Sequence, residues 1–176
     1  MKLLYHDKLI ASAQTVNVTD IDQSYTDLLI LFSGRTDKAD PIGYGTFYVN
    51  GVTTPYQTSF LQGTNDSTLS GGTTAALPEI FVNGASTSAS TFGIVKIHIP
   101  NYTSSSTFKQ MNINLTYESM SFTAFYGLER LIASEFQSYD AIDEITFDAD
   151  SSDNYVAGTT ISIYGILAGS GSASVS

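Results

Sequence analysis

The chain contains no cysteine and no tryptophan, only two histidines and four prolines, and seven basic residues against seventeen acidic ones. Without cysteine, disulfide staples and thiolate chemistry are excluded, and no redox compartment can be read. Seven scattered Lys and Arg under a net charge of −10 make nucleic acid an unexpected partner, because phosphate binding needs clustered cations. The same acidity disfavours anionic membranes and serves solubility. Long apolar runs are missing too. The longest, Leu28-Leu29-Ile30-Leu31-Phe32, is far too short to cross a bilayer, and Met1 to Asp7 lacks the apolar stretch of a signal peptide. The protein is therefore expected to be made in a cytoplasm-like compartment, with no membrane partner.

What the chain does have is strand chemistry. Its 176 residues suffice for one domain with a self-sufficient core. There are 23 serines and 21 threonines, while charged residues make up only 14%, so the surface is polar mainly through hydroxyls. Thr packs well in strands and Ser closes turns, whereas helices would want more Ala, Glu, Lys and Leu. Eleven Tyr and ten Phe supply core volume and half-exposed interface rings.

The apolar period is two wherever it can be read. Val95, Ile97 and Ile99 alternate with Lys96 and His98; Met111, Ile113, Leu115 and Tyr117 alternate with Asn112, Asn114 and Thr116. Both runs read as half-buried antiparallel strands. Ile145, Phe147 and Ala149 continue the pattern, as do Ile161 and Ile163. Asn50-Gly51 is a hairpin signal, Pro100 ends a strand, and Gly43-Tyr44-Gly45 reads as a turn. About nine or ten strands are expected, in an antiparallel β-sandwich over residues 1–167. Two segments break the pattern. Residues 63–90 read as a long Gly/Ser/Thr-rich loop with an apolar island at 75–82, with room for a short helix or an extra strand, and are the main candidate for partner contact. Residues 168–176 read as a flexible Gly/Ser tail.

No catalytic, cofactor-binding or metal-binding residue is expected. His98 falls on the polar face of a strand and His6 near the start, and no serine sits in a Gly-x-Ser-x-Gly elbow. Asp140, Asp143, Glu144, Asp148, Asp150 and Asp153 crowd into fourteen residues. As a calcium loop, however, the run from Asp148 has Asp153 where Gly is required and Thr159 where Glu is required. It reads as a solvated loop between strands.

Four stretches resemble a known group. Leu9 to Val16 followed by Gln23-Ser24-Tyr25-Thr26-Asp27-Leu28-Leu29-Ile30-Leu31, then Arg35-Thr36-Asp37, and finally Ala157-Gly158-Thr159-Thr160-Ile161-Ser162-Ile163-Tyr164-Gly165-Ile166, resemble the opening and close of small virion structural proteins of tailed bacteriophages. The resemblance implies a jelly-roll-like sandwich that assembles on the virus particle as a homotrimer and acts without catalysis. A compact acidic domain of this size fits a capsid decoration (cement) protein on the major capsid protein, located in the virion after assembly in the host cytoplasm. The alternative is a tail, neck or fibre component that binds host glycans or a receptor. Aromatics at Phe122–Tyr126 and Tyr44–Tyr48 are the expected trimer contacts.

Overall fold

The computed structural model describes residues 1–63, 69–121, 124–150 and 152–167, with the side chains of 69–70, 118–121 and 124–128 outside the description. Twelve strands follow one another: β1 (Lys2–Lys8), β2 (Thr15–Val18), β3 (Asp27–Gly34), β4 (Ile42–Val49), β5 (Tyr56–Gly63), β6 (Leu69–Thr74), β7 (Glu79–Asn83), β8 (Gly93–Ile99), β9 (Lys109–Ser121), β10 (Ala124–Phe136), β11 (Ile145–Ala149) and β12 (Thr160–Ile166). They form an eight-stranded sheet, ordered β1-β12-β3-β8-β9-β10-β5-β6, and a four-stranded sheet, ordered β2-β11-β4-β7. All ladders between these strands are antiparallel. The protein is an all-β sandwich, and among the described residues there is no helix.

Alternation explains the two layers. Val95, Ile97 and Ile99 are fully buried, while Lys96 is exposed and His98 half-buried. Met111, Ile113, Leu115 and Tyr117 point inward from β9, and Asn112, Asn114 and Thr116 point to solvent. Leu28, Ile30 and Phe32 do the same from β3. The smaller sheet answers with Val16, Val18, Phe47, Val49, Ile80, Ile145 and Phe147. Phe32 stacks on Phe147 with ring centroids 4.1 Å apart, and Phe47 and Tyr155 close around that pair at 5.1 Å. Each buried ring contributes roughly 1.5–3 kcal/mol by leaving water, so part of the aromatic surplus is core.

The strand count exceeds the nine or ten expected, chiefly because residues 63–90 are not one long loop. They carry β6, which extends the large sheet beside β5, and β7, which pairs with β4. The Gly43-Tyr44-Gly45 turn is corrected as well, since these residues lie within β4. A Cβ at Gly43 would stand 2.1 Å from Thr36 Oγ1, and one at Gly45 2.5 Å from the Tyr155 hydroxyl. The glycines clear room for buried hydroxyls rather than bend the chain. Asn50-Gly51 does form its turn, with φ of 54° and 64°, as a type I′ turn requires. Its second arm is a single bridge from Val49 to Val52, and the chain then crosses to the larger sheet. The Asn50 side chain also donates to Ala141 O (2.8 Å) and accepts from Asp143 N (3.0 Å). The tail 168–176 and the side chains of Phe122–Tyr126 lie outside the described residues.

Candidate interaction surface

The titratable groups are spread rather than gathered. Across β1 and β12, His6 Nδ1 lies 2.8 Å from Ser162 Oγ. His98 Nε2 lies 3.3 Å from Asp27 Oδ2, and Asp27 also accepts the Asn101 N–H. One histidine has a hydroxyl and the other a carboxylate, three strands apart in the sheet. The acidic stretch is shared out too. Glu144 accepts from Asn17 (2.9 Å) and Asp148 from Thr15 (2.7 Å), which tie β11 to β2, while Asp140 accepts from Ser138 (2.8 Å). Among the described residues no three His, Asp or Glu side chains form a group able to hold a metal ion.

The Arg35-Thr36-Asp37 run stitches loops together. Arg35 Nη1 donates to Thr87 Oγ1 and Ser88 O, both at 2.8 Å, and Nη2 donates to Ala85 O (3.1 Å) and Thr87 O (3.2 Å). Charge-assisted bonds of this kind hold residues 85–91 in place. Thr36 N donates to Asn83 O at 2.9 Å. Asp37 accepts the Asn154 backbone N–H (2.7 Å) and side-chain amide (3.0 Å), and these bonds hold its carboxyl below the usual range. At the other resemblance motif, the Tyr25 ring lies so close over Gly165 that a Cβ there would be 2.4 Å from Tyr25 Cγ. Thr26 donates from both its N–H and its hydroxyl to Ile166 O.

Residues 63–90 thus divide in function. The end near 85–91 is fixed by Arg35, whereas residues 71–76 are exposed. Beside them the outward face of β5 and β10 carries Leu61 (53% exposed) and Leu131 (44%), which are direct cross-strand partners. With Ser59, Ala133, Gly71 and Asn114 they line a mainly apolar groove of about 660 Å³. Glycine at 71 leaves Leu61 uncovered, because a Cβ there would press on the leucine at 3.0 Å. Leu31 and Ile94 add a second exposed apolar pair on β3 and β8 of the same face.

A smaller groove of about 450 Å³ is polar, lined by Gln14, Tyr44, Thr46, Glu79, Asp148 and Asp150. Lys38 Nζ stands 4.1 Å over the Tyr44 ring, and Phe81 meets that ring edge-on at 5.2 Å. Behind it the buried Arg130 guanidinium is sandwiched between Phe60 (4.1 Å) and Phe81 (4.5 Å) and reaches Glu79 at 3.4 Å, clasping the two sheets together. The aromatics at 44–48 are divided by alternation: Tyr44 and Tyr48 are half-buried, while Phe47 is core.

The apolar groove escaped the sequence reading, although a signal was present. In a period-two strand, adjacent apolar residues put one side chain on each face, so Phe60-Leu61 and Leu131-Ile132 each force a leucine outward. Comparison with protein-family models, with curated proteins and with solved structures returns no match.

Proposed function

We propose that the chain is a non-enzymatic virion structural protein of a tailed bacteriophage: a jelly-roll-like capsid decoration (cement) protein that sits on the major capsid protein as a homotrimer. The observation that carries this reading is the exposed apolar groove at Leu61 and Leu131, on an otherwise hydroxyl-rich and acidic molecule. A contiguous apolar patch of this kind marks a surface that assembly covers. The resemblance supports it, because its end motifs meet: Tyr25 and Thr26, at the entry to β3, contact Gly165 and Ile166 of the neighbouring β12. Mass spectrometry of purified particles, with gold-labelled antibody against the chain, tests the proposal. Label on heads is the expected result, and absence of the chain from particles overturns it.

The polar groove favours a second reading, a tail, neck or fibre component that binds host glycans. A tyrosine ring beside Gln14, Glu79, Asp148 and Asp150 offers one stacking surface and several hydroxyl-bonding groups. A glycan array separates the two, since a head decoration protein shows no selective sugar binding.

A further inference from the structure

We infer that a second copy of this chain covers the outer face of β10, β5 and β6, together with the bare edge of β6. The inference rests on the assembly reading above and names the partner at its groove. It begins with the two edges of the large sheet. β1 is guarded: it carries Lys2, His6, Asp7 and Lys8, and its register slips between Leu3 and Tyr5. Charges and irregularities of this kind stop strand edges from pairing with other chains. β6, Leu69-Ser70-Gly71-Gly72-Thr73-Thr74, has no charged residue and no proline, and its ladder to β5 runs without a slip. Among the described residues no strand pairs with its outer side.

Charge then selects the occupant. Two copies each bearing −10 repel one another over most of their surface. The groove itself is lined by no charged side chain. Its flanks differ in sign: Glu129 and Glu135 bracket Leu131 and Ala133 along β10, while Lys96 stands two strands away on β8 of the same face. A neighbouring copy that lays its β8 flank over this β10 flank brings Lys96 onto the carboxylates and Leu31 and Ile94 onto the exposed leucines. The face therefore complements itself in both charge and apolar content, which a uniformly acidic or basic partner does not match.

The test is the solution mass of the full chain by light scattering, followed over a dilution series. Wild type is expected at a multiple of 18.9 kDa. Leu131→Glu and Leu61→Lys are each expected to weaken association at least tenfold, toward the single-chain mass. Ser59→Arg, which adds charge and bulk at an exposed position, serves as a second route that removes no apolar contact, and its expected effect is the same. Leu3→Lys on the guarded edge leaves the mass unchanged, and circular dichroism with thermal melts checks that each variant is folded. A wild type at single-chain mass throughout overturns the inference, as does an assembled mass that survives folded Leu131→Glu and Ser59→Arg. Assembly that survives both variants removes this face and leaves the virion reading standing. Dissociated variants of a protein absent from particles do the reverse.

Discussion

The two ends of the eight-stranded sheet are built on opposite principles. At the β1-β12-β3 end, side chains of the chain itself close the surface: Tyr25 fills the space over Gly165, Thr26 caps Ile166 O, Arg35 grips 85–91 and Asp37 holds Asn154. Its edge carries charges. At the β10-β5-β6 end, glycines replace side chains, two leucines face water and, among the described residues, no strand covers the edge. Apolar side chains are buried in the inner layer at both ends, among them Ile163 on β12, Ile132 on β10 and Tyr56 on β5. The difference is thus confined to what faces outward. One end is finished within the chain, and the other leaves an apolar groove open.

Substitutions can break or sharpen that contrast. The largest effect belongs to the shared core. Ile113→Asp places a charge in an apolar layer where Ile113 is fully buried, an uncompensated cost of several kcal/mol, and is expected to unfold the chain. Asn114→Asp, one residue on and exposed, should stay within about 0.5 kcal/mol; urea titrations of the pair read both. Next comes the finished end. Gly165→Val drives a side chain into the Tyr25 ring, and overpacking of this kind costs about 1–3 kcal/mol, visible as a lower denaturation midpoint. Arg35→Met removes charge-assisted bonds worth roughly 1.5–3 kcal/mol each in buried sites and less at this half-buried one. Its signature is local, namely faster amide exchange and proteolysis at 85–91.

Alkaline pH probes the inner layer beneath the open end. Burial pushes the Tyr56 and Tyr117 hydroxyls up to about 12. A raised folded-state value means that the stability is fully present below the unfolded tyrosine range near ~10 and is lost as pH rises toward about 12. For Tyr56 the loss is of order 2 kcal/mol, and Tyr56→Phe should flatten the decline in melting temperature across that window. The smallest effect falls at the open end. Leu61→Ser removes an exposed side chain and, measured on the dissociated chain, should change stability by no more than about 0.5 kcal/mol. A large loss there would mean that the groove is packed within the chain and the contrast between ends is false.

These ends were unequally legible in the sequence. β8 and β9 announce themselves because one face is apolar and the other polar, so Ile97 and Ile113 could be placed inside without a structure. β6 carries no such pattern: Leu69-Ser70-Gly71-Gly72-Thr73-Thr74 is placed by its ladder to β5 rather than by an apolar alternation. β7 hid for a different reason. Ile80-Phe81-Val82 is apolar on both faces, because Phe81, opposite in direction to Ile80 and Val82, is itself buried against Tyr44, Tyr117 and Arg130. The glycines at 43 and 45 look like a turn until Thr36 and Tyr155 are seen beneath them. The histidines and the acidic run give no pattern in the sequence that names their partners: His6 meets Ser162, His98 meets Asp27, Asp148 meets Thr15 and Glu144 meets Asn17, all contacts between residues far apart in the chain.

Hydrogen–deuterium exchange of the wild-type chain, compared between dilute solution and the assembled state, tests the contrast between the two ends most directly. The outward-facing amides of β6, at 69–74, are expected to slow markedly on assembly, together with the 59–61 and 131–133 segments, while those of β1, at 2–8, keep their dilute-solution rates. Equal behaviour at the two edges, or protection gained at β1 and not at β6, would contradict the account.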